Sequence, residues 1–371
     1  MKGLYHRVVR RTGTILLLCL LIVFQGSCSY QPNFLAFRDA KSPPRIRMSC
    51  YASSTVGTTF ADPEHLGLHG YSYGGSEKTG IVYTCKAGHI DIAHLRKAAD
   101  WTAFLAEKTL EQLRKNRTAF SFKLYEPSRY FVKISYPQKW KDLSYAEKEI
   151  ISRHLSIRLG QYFAYVGCTW HEILTWFGYR SIGFYPEFPS AFSWEDSFSN
   201  LLGTHIASMA LRDAGHEYDE SMTIALYREL KKLDVQPRRT AIRAAEDVKG
   251  LWYSGDFLFL VDMKGRNFDI GLDDGFVTPW LVRSIAECAG AKAKSYPAPG
   301  LYFLADYGFT VKLEIEPREL EKGRVLKIVY PDPRKRRNRL EPAVHFGPIM
   351  DYIRRDAEKR YGRDPNPGSD K

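Results

Sequence analysis

Apolar positions recur at helical spacing from Asp91 onward. Ile92, Leu95, Ala98, Ala99 and Thr102 fall on one face, and Asp91 is placed to cap the helix they predict. A much longer helix is predicted over 144–177. Ser144 and Glu147 have the spacing of a capping box, Ile150, Leu155, Leu159, Tyr162, Val166, Trp170, Ile173 and Phe177 roughly keep the period, and Gly178 closes it. After an aromatic, proline-containing loop over 179–192, Ser193 and Asp196 repeat the box at the start of a helix running to about Arg212. Further helices are predicted over 220–233 and 347–361.

Strand patterns occupy other stretches. Residues 121–136 alternate and are rich in Phe, Tyr, Val and Ile, with a break at Glu126-Pro127-Ser128, and 80–85 is a short β-like run. Towards the C-terminus, 257–262 and 267–271 read as a hairpin, and 310–316 as a strand paired with 324–330. Helices first and strands later, without repeats or parallel-sheet alternation, predict an α+β fold. Two or three long helices pack against antiparallel hairpins in this reading, with an irregular N-terminal wrap. The expected divisions are a signal peptide (1–27), the wrap (28–87), a mainly helical core (88–245), a hairpin-rich part of the same globular unit ending in a helix (246–362), and a disordered tail (363–371).

The N-terminus changes the picture from a plain globular chain to an exported one. Lys2, Arg7, Arg10 and Arg11 precede an apolar run over 15–24, then Gly26-Ser27 stands ahead of Cys28. These are the parts of a secretory signal. The run is far shorter than the roughly 20 residues of a membrane-spanning helix, so removal is expected. Small residues before a cysteine also fit a lipoprotein cleavage site, although Gln25 stands where that pattern usually has Leu. Lipidation of Cys28 is therefore expected, and with it a membrane-associated location in the cell envelope.

The 371 residues are 44% hydrophobic and 14% aromatic, enough for a large core. The formal charge is +12, and much of it is local: Arg334, Lys335, Arg336 and Arg337 are consecutive, with Arg339 close by. In an exported protein such a run suits anionic lipid headgroups, an acidic cell-wall polymer, or plain solvation; no nucleic acid is expected. Of six cysteines, Cys19 leaves with the signal. Cys50, Cys85, Cys168 and Cys288 allow three pairings besides Cys28, and an oxidising compartment permits any of them. Cys50 and Cys85 flank a Gly/Ser/Thr-rich loop and are the expected pair, while Cys168 sits in an apolar helical pattern as a buried thiol.

Candidate chemistry centres on Trp170-His171-Glu172-Ile173-Leu174-Thr175. A zinc-peptidase helix needs a second His one turn after the His-Glu pair, and Thr175 stands there instead. Buried charges need partners, and Glu195-Asp196, Asn200, His205 and Gly88-His89-Ile90-Asp91-Ile92-Ala93-His94 could supply them. The expected constellation has His94, His171 and Glu195 holding a divalent metal such as zinc and Glu172 activating water. His89, Asp91, Asp196 and Asn200 support it, and Trp170, Trp176 and Trp194 wall the pocket. The alternative is a structural network: a helix–helix hydrogen bond at His171-Glu172, a helix N-terminus complemented by Glu195-Asp196, and a satisfied core histidine at His94. Cys85 with His89 is a weaker nucleophile pattern, which a disulfide at Cys85 would abolish.

The strings 88–96, 170–176, 192–196 and 199–203 give the chain its family likeness. Gly88-His89-Ile90-Asp91, Trp170-His171-Glu172 and Phe192-Ser193-Trp194-Glu195-Asp196 are its distinctive parts. On them the sequence resembles a family of uncharacterised bacterial envelope proteins, domain of unknown function 4056. The resemblance implies no established activity and no catalytic roles. Two functions are thus expected to compete: a metal-dependent hydrolase of an envelope substrate, and a non-catalytic envelope-binding or structural lipoprotein.

Overall fold

The computed structural model describes residues 40–49, 51–180, 188–257 and 261–362. The signal segment, Cys28, Cys50, the C-terminal tail and part of the 179–192 loop lie outside the described residues. All described residues belong to a compact unit spanning Leu35–Lys371.

The fold is α+β. Its described helices are α1 (Ile92–Arg114), α2 (Tyr145–Trp176), α3 (Asp196–Ala210), α4 (Tyr218–Lys232), α5 (Arg238–Asp247), α6 (Lys322–Val329) and α7 (Pro342–Tyr361). Strands β1 (Ile81–Thr84) and β2 (Gly88–Asp91) form a hairpin extended by β5 (Val235–Gln236). Strands β3 (Ala119–Phe122), β4 (Arg129–Ser135) and β10 (Thr310–Glu316) form a second antiparallel sheet. Two short ladders pair β6 (Tyr253–Ser254) with β7 (Asp262–Met263) and β8 (Phe276–Val277) with β9 (Tyr296–Pro297).

Helix α1 is the axis of the molecule. It starts where β2 ends, and the Asp91 carboxylate accepts the Ala93 N–H as an N-cap. Both α2 and α3 lie against it at close range, which two glycines permit. A Cβ on Gly203 of α3 would stand 2.0 Å from the Leu95 carbonyl oxygen, and one on Gly160 of α2 would stand 2.6 Å from that of Thr102. Helix α2 opens with the Ser144–Glu147 capping box, complete in both directions, and ends before Gly178 at φ +101°. Its other side meets the β3–β4–β10 sheet and α7: Phe163 packs on Phe122, with ring centroids 5.6 Å apart, and Trp170 stacks over Phe346.

The sequence shows α1 with a single apolar face, yet its N-terminal half is buried nearly all round. The wrap accounts for this. Arg96 and Asp100 interrupt the apolar pattern, and the irregular segment before β1 brings them partners. Arg47 Nη1 donates to Asp100 Oδ2 (2.6 Å), Arg47 Nε to Glu77 Oε1 (2.8 Å), Arg96 Nη1 lies 2.8 Å from Glu77 Oε2, and His69 Nε2 lies 2.7 Å from Asp100 Oδ1. Removing one member would strand a buried charge, at a cost of about 3–5 kcal/mol. These ion pairs are fixed points of the described part of the wrap before β1.

Three expectations about pairing are corrected. Strand β10 pairs with β4 through the full register Thr310↔Ser135 to Glu316↔Arg129, while the segment expected as its partner is helix α6, burying Val325 and Leu326. A short apolar run fits either period, and the β4 edge was the better partner. The hairpin expected across 257–271 is replaced by β6–β7, with Tyr253 opposite Met263. Residues 267–271 instead turn on their own side chains, Asn267 Oδ1 accepting from Asp269 N and Asp269 Oδ1 from Gly271 N, the local competition that keeps Asn and Asp out of strands. The disulfide joins Cys85 to Cys288, not to Cys50, with a Cα–Cα distance of 4.9 Å. The chain after Cys288 runs back along the β1–β2 turn, Lys294 N donating to Lys86 O, and this places the two thiols together. Cys168 is a buried free thiol as expected, its pKa pushed up to about 12 by burial.

Candidate functional site

The N-termini of α1 and α3 and the last turns of α2 converge on a buried group of carboxylates around one imidazole. Asp91 caps α1, His94 lies one turn on, Glu195 and Asp196 open α3, and Glu172 comes from α2. His94 Nδ1 lies between two carboxylates, 2.9 Å from Asp91 Oδ2 and 3.1 Å from Asp196 Oδ1. Its Nε2 makes no hydrogen bond to a described residue, and a tenth of the side chain is exposed. Asp91 N donates to Ser199 Oγ (3.0 Å), tying the start of α1 to α3.

The acidic side of this group is crowded. Glu195 Oε1 accepts from Ala52 N at 2.8 Å, whereas its Oε2 is buried without a hydrogen-bond partner among the described residues. Burial, with the charge of Asp91 adding to it, pushes the Glu195 carboxyl up to about 8. Burial, then Glu172 and Glu195, holds Asp196 well above the usual carboxylate range. Like charges in a dry site cannot all ionise, and burial with this repulsion favours the protonated forms of Glu195 and Asp196.

A strained turn sets the spacing. Phe192 adopts φ +56°, rare for a residue with a large side chain. Its N–H donates to Glu172 Oε2 (2.9 Å) and its carbonyl accepts from Asn267 N (2.9 Å). Two bonds from separate elements hold the conformation in which Ser193 N reaches Asp196 Oδ2 (3.1 Å). The capping box expected at Ser193 and Asp196 is only half made: Asp196 accepts from Ser193 N, but α3 starts at Asp196 with Glu195 at its N-cap and no side-chain cap bond, and it ends at Ala210, close to the expected Arg212.

Several expected members lie elsewhere. His171 hydrogen-bonds Glu126 through Nδ1 at 2.8 Å. Burial opposes both charges, but the pair more than offsets it, holding Glu126 below and His171 above their ordinary values. His171, Lys97 and Asn200 line a separate cavity of about 30 Å³, room for little more than a water molecule. His89 is a core histidine: Nε2 donates to Ala241 O, Trp194 Nε1 donates to Nδ1, and burial lowers its pKa to about 4. The three tryptophans share no wall. Trp170 Nε1 donates to Ser128 Oγ, Trp176 Nε1 to Asp356 Oδ2, and Trp194 packs against Trp252. Each large ring follows the core layer of its own element.

The expected ligands His94, His171 and Glu195 therefore do not converge, because Glu126 holds His171. Among the described residues, no group of three or more His, Cys, Asp or Glu side chains is arranged to hold a metal ion. The Arg47–Glu77–Asp100–His69–Arg96 network went unforeseen, although Arg96 and Asp100, one helical turn apart in an apolar helix, are a signal for it.

A family model described as "Protein of unknown function (DUF4056)" matches residues 51–258. The chain is a member of the DUF4056 family. No curated protein and no solved structure matches it. The DUF4056 segment contains Asp91, His94, Glu172, Glu195 and Asp196 together with the turn at Phe192, so the whole carboxylate–imidazole group lies inside the shared region. The C-terminal part, fastened to the DUF4056 segment by Cys85–Cys288, lies outside the match.

Proposed function

We propose that the protein is exported, anchored in the cell envelope through a lipidated Cys28, and hydrolyses an envelope substrate at the Asp91–His94–Asp196 group. The observation that carries the hydrolytic reading is His94 Nδ1 lying 2.9 Å from Asp91 Oδ2 and 3.1 Å from Asp196 Oδ1, with Glu195, whose carboxyl burial pushes up to about 8, in the same group. An imidazole beside a carboxyl that burial keeps protonated supplies the base and the acid that acid–base hydrolysis needs. Water loses a proton to His94 Nε2 as its oxygen bonds the scissile centre, and the leaving group takes the proton from Glu195 as its bond breaks. Asp91 and Asp196 flank the imidazole, and the Asp91 carboxylate would stabilise its charged form. Glu172, the base expected from the sequence, has one oxygen committed to Phe192 N, which favours His94 for that role.

A second reading keeps the divalent metal, such as zinc. Four buried carboxylates beside one imidazole repel one another, and a bound cation would relieve that repulsion in place of protons. Elemental analysis of purified protein tests it: stoichiometric metal lost in His94→Ala supports the reading, and its absence from the wild type ends it.

Export is supported by the Cys85–Cys288 disulfide, since such bonds persist in oxidising compartments. No helix among the described residues is long and apolar enough to cross a membrane; a lipid on Cys28 would supply the attachment. Arg334, Lys335, Arg336 and Arg337, all exposed and without an ion pair to a described residue, add attraction to anionic lipid or cell-wall polymer. Mass spectrometry of the mature N-terminus tests the anchor: a diacylated Cys28 is expected, and an unmodified N-terminus elsewhere contradicts it. For the chemistry, a panel of ester, peptide and glycoside substrates is expected to yield at least one that wild type cleaves and Glu195→Gln cleaves at least about 100-fold more slowly. A panel inert to the wild type favours a non-catalytic envelope-binding lipoprotein.

A further inference from the structure

A large concavity of the described chain is distinct from the buried carboxylates. It is a cleft of about 840 Å³ between the turns of 264–283, the segment 292–295 and the last turns of α7. That volume falls within the range of small-molecule sites. All of its lining residues come from 264–362 and so lie outside the family segment.

Its charges are unevenly satisfied. Lys264, Arg283 and Lys292 line the cleft and make no ion pair with a described residue, and Arg354 has long contacts, 3.7 Å to Asp273, 3.6 Å to Asp351 and a 3.4 Å hydrogen bond to the Phe268 carbonyl. Two of the three acids among the lining residues are engaged by backbone, while Glu358 is exposed and makes no ion pair with a described residue. Asp269 accepts from the backbone N–H groups of Gly271 and Thr278, and Asp274 from that of Phe276. Those carboxylates fold the loop and are largely spent on it. The floor is Arg266, which is buried. Its guanidinium donates to the carbonyls of Phe188 and Ala191 and lies over the Trp176 and Tyr361 rings, 5.1 Å from each centroid. Phe268 and Tyr361, half-buried, present flat apolar surface beside the cations.

We propose that this cleft binds a multiply anionic ligand bearing phosphate or carboxylate groups and carrying a ring or other apolar portion. Lys264, Arg283 and Lys292 meet the anionic groups, Arg354 joins them when it leaves its weak partners, and the aromatic edges take the ring. Arg and Lys bind such groups by charge-assisted hydrogen bonds. The same chemistry occurs in acidic glycans and in phospholipid headgroups. The inference goes beyond the hydrolytic reading and does not depend on it, because it is read as binding without turnover.

The test uses the mature chain without its lipid, titrated calorimetrically with pyrophosphate and with trigalacturonate, and in sedimentation with phosphatidylglycerol vesicles. At least one probe is expected to bind at submillimolar concentration, more weakly as salt rises. The double variant Arg283→Glu with Lys292→Glu should weaken that probe about tenfold or more. Arg336→Glu with Arg337→Glu, in the exposed basic loop, should leave it unchanged. A soluble probe that binds identifies a glycan-like or free anion, and binding to vesicles alone identifies a headgroup. Should the double variant not fold, Lys292→Glu at the rim is read in its place. Failure of all three probes to bind the wild type, or an equal loss in the loop variant, overturns the proposal.

Discussion

Glu195 keeps its proton near neutrality because burial removes the water that would solvate its charge, and Asp91 adds repulsion. Its pKa is about 8 in the folded protein against an ordinary value of 4.5. Below pH 4.5 the carboxyl is protonated in folded and unfolded chains alike, and the stability this group contributes is fully present. Between pH 4.5 and 8 the unfolded chain holds fewer protons, so stability falls as pH rises, by up to about 1.4 kcal/mol per pH unit for each such group. Asp196 acts in the same direction. Thermal unfolding is expected to show a lower Tm at pH 8 than at pH 5, and Glu195→Gln, which imitates the protonated form, should flatten much of that slope. An unaltered pH profile in this variant would mean that Glu195 is ionised in the fold. At this scale the sequence was informative about membership: His94, Glu172 and Glu195 were expected together, and they share the group with Asp91 and Asp196. It was uninformative about direction. His171 precedes Glu172 by one residue on α2, and successive helical positions diverge around the axis, so one faces Glu126 and the other the Phe192 turn.

The three helices that carry the site are set by close backbone approach. Gly203 admits the Leu95 carbonyl to a distance no side chain would allow. Gly203→Ala is therefore expected to push α3 away from α1 and lower stability by about 1–3 kcal/mol. Gly323→Ala supplies the opposite sign: it lies in α6 with nothing within 4 Å of an added Cβ, and should raise stability by about 0.5–1 kcal/mol. Denaturant titration of both variants checks the pair, and equal effects would remove the packing argument. Elements with local signals were legible. The Ser144–Glu147 box and Gly178 bounded α2 to within a residue, because caps are encoded by the residues that form them. Segment 324–330 was not, because Val325, Leu326, Ile328 and Val329 satisfy both periods and the choice depends on β4, nearly 200 positions away in the chain.

Across the whole molecule, Cys85–Cys288 links the family segment to the C-terminal part across a sequence separation of 203. Closing so long a loop restricts the unfolded chain, and Cys288→Ser is expected to cost about 2–4 kcal/mol. A thiol assay on the unfolded wild type before and after reduction checks the bond itself, with two additional thiols appearing on reduction of this pair. Its partner choice was illegible because both cysteines belong to turns whose meeting depends on the C-terminal chain folding back over β1. The α+β class was legible, since composition and periodicity report it directly. The basic cleft was not, because residues from three separate segments build it and none carries a motif. The central claim is that the Asp91–His94–Asp196 group with Glu195 performs hydrolysis, and its most direct test is product release from envelope material. Envelope fractions incubated with purified wild type and with a folded His94→Gln variant would be compared by mass spectrometry. Soluble fragments, each carrying the elements of one added water and released only by the wild type, are the predicted result; identical spectra for wild type, variant and buffer would contradict it.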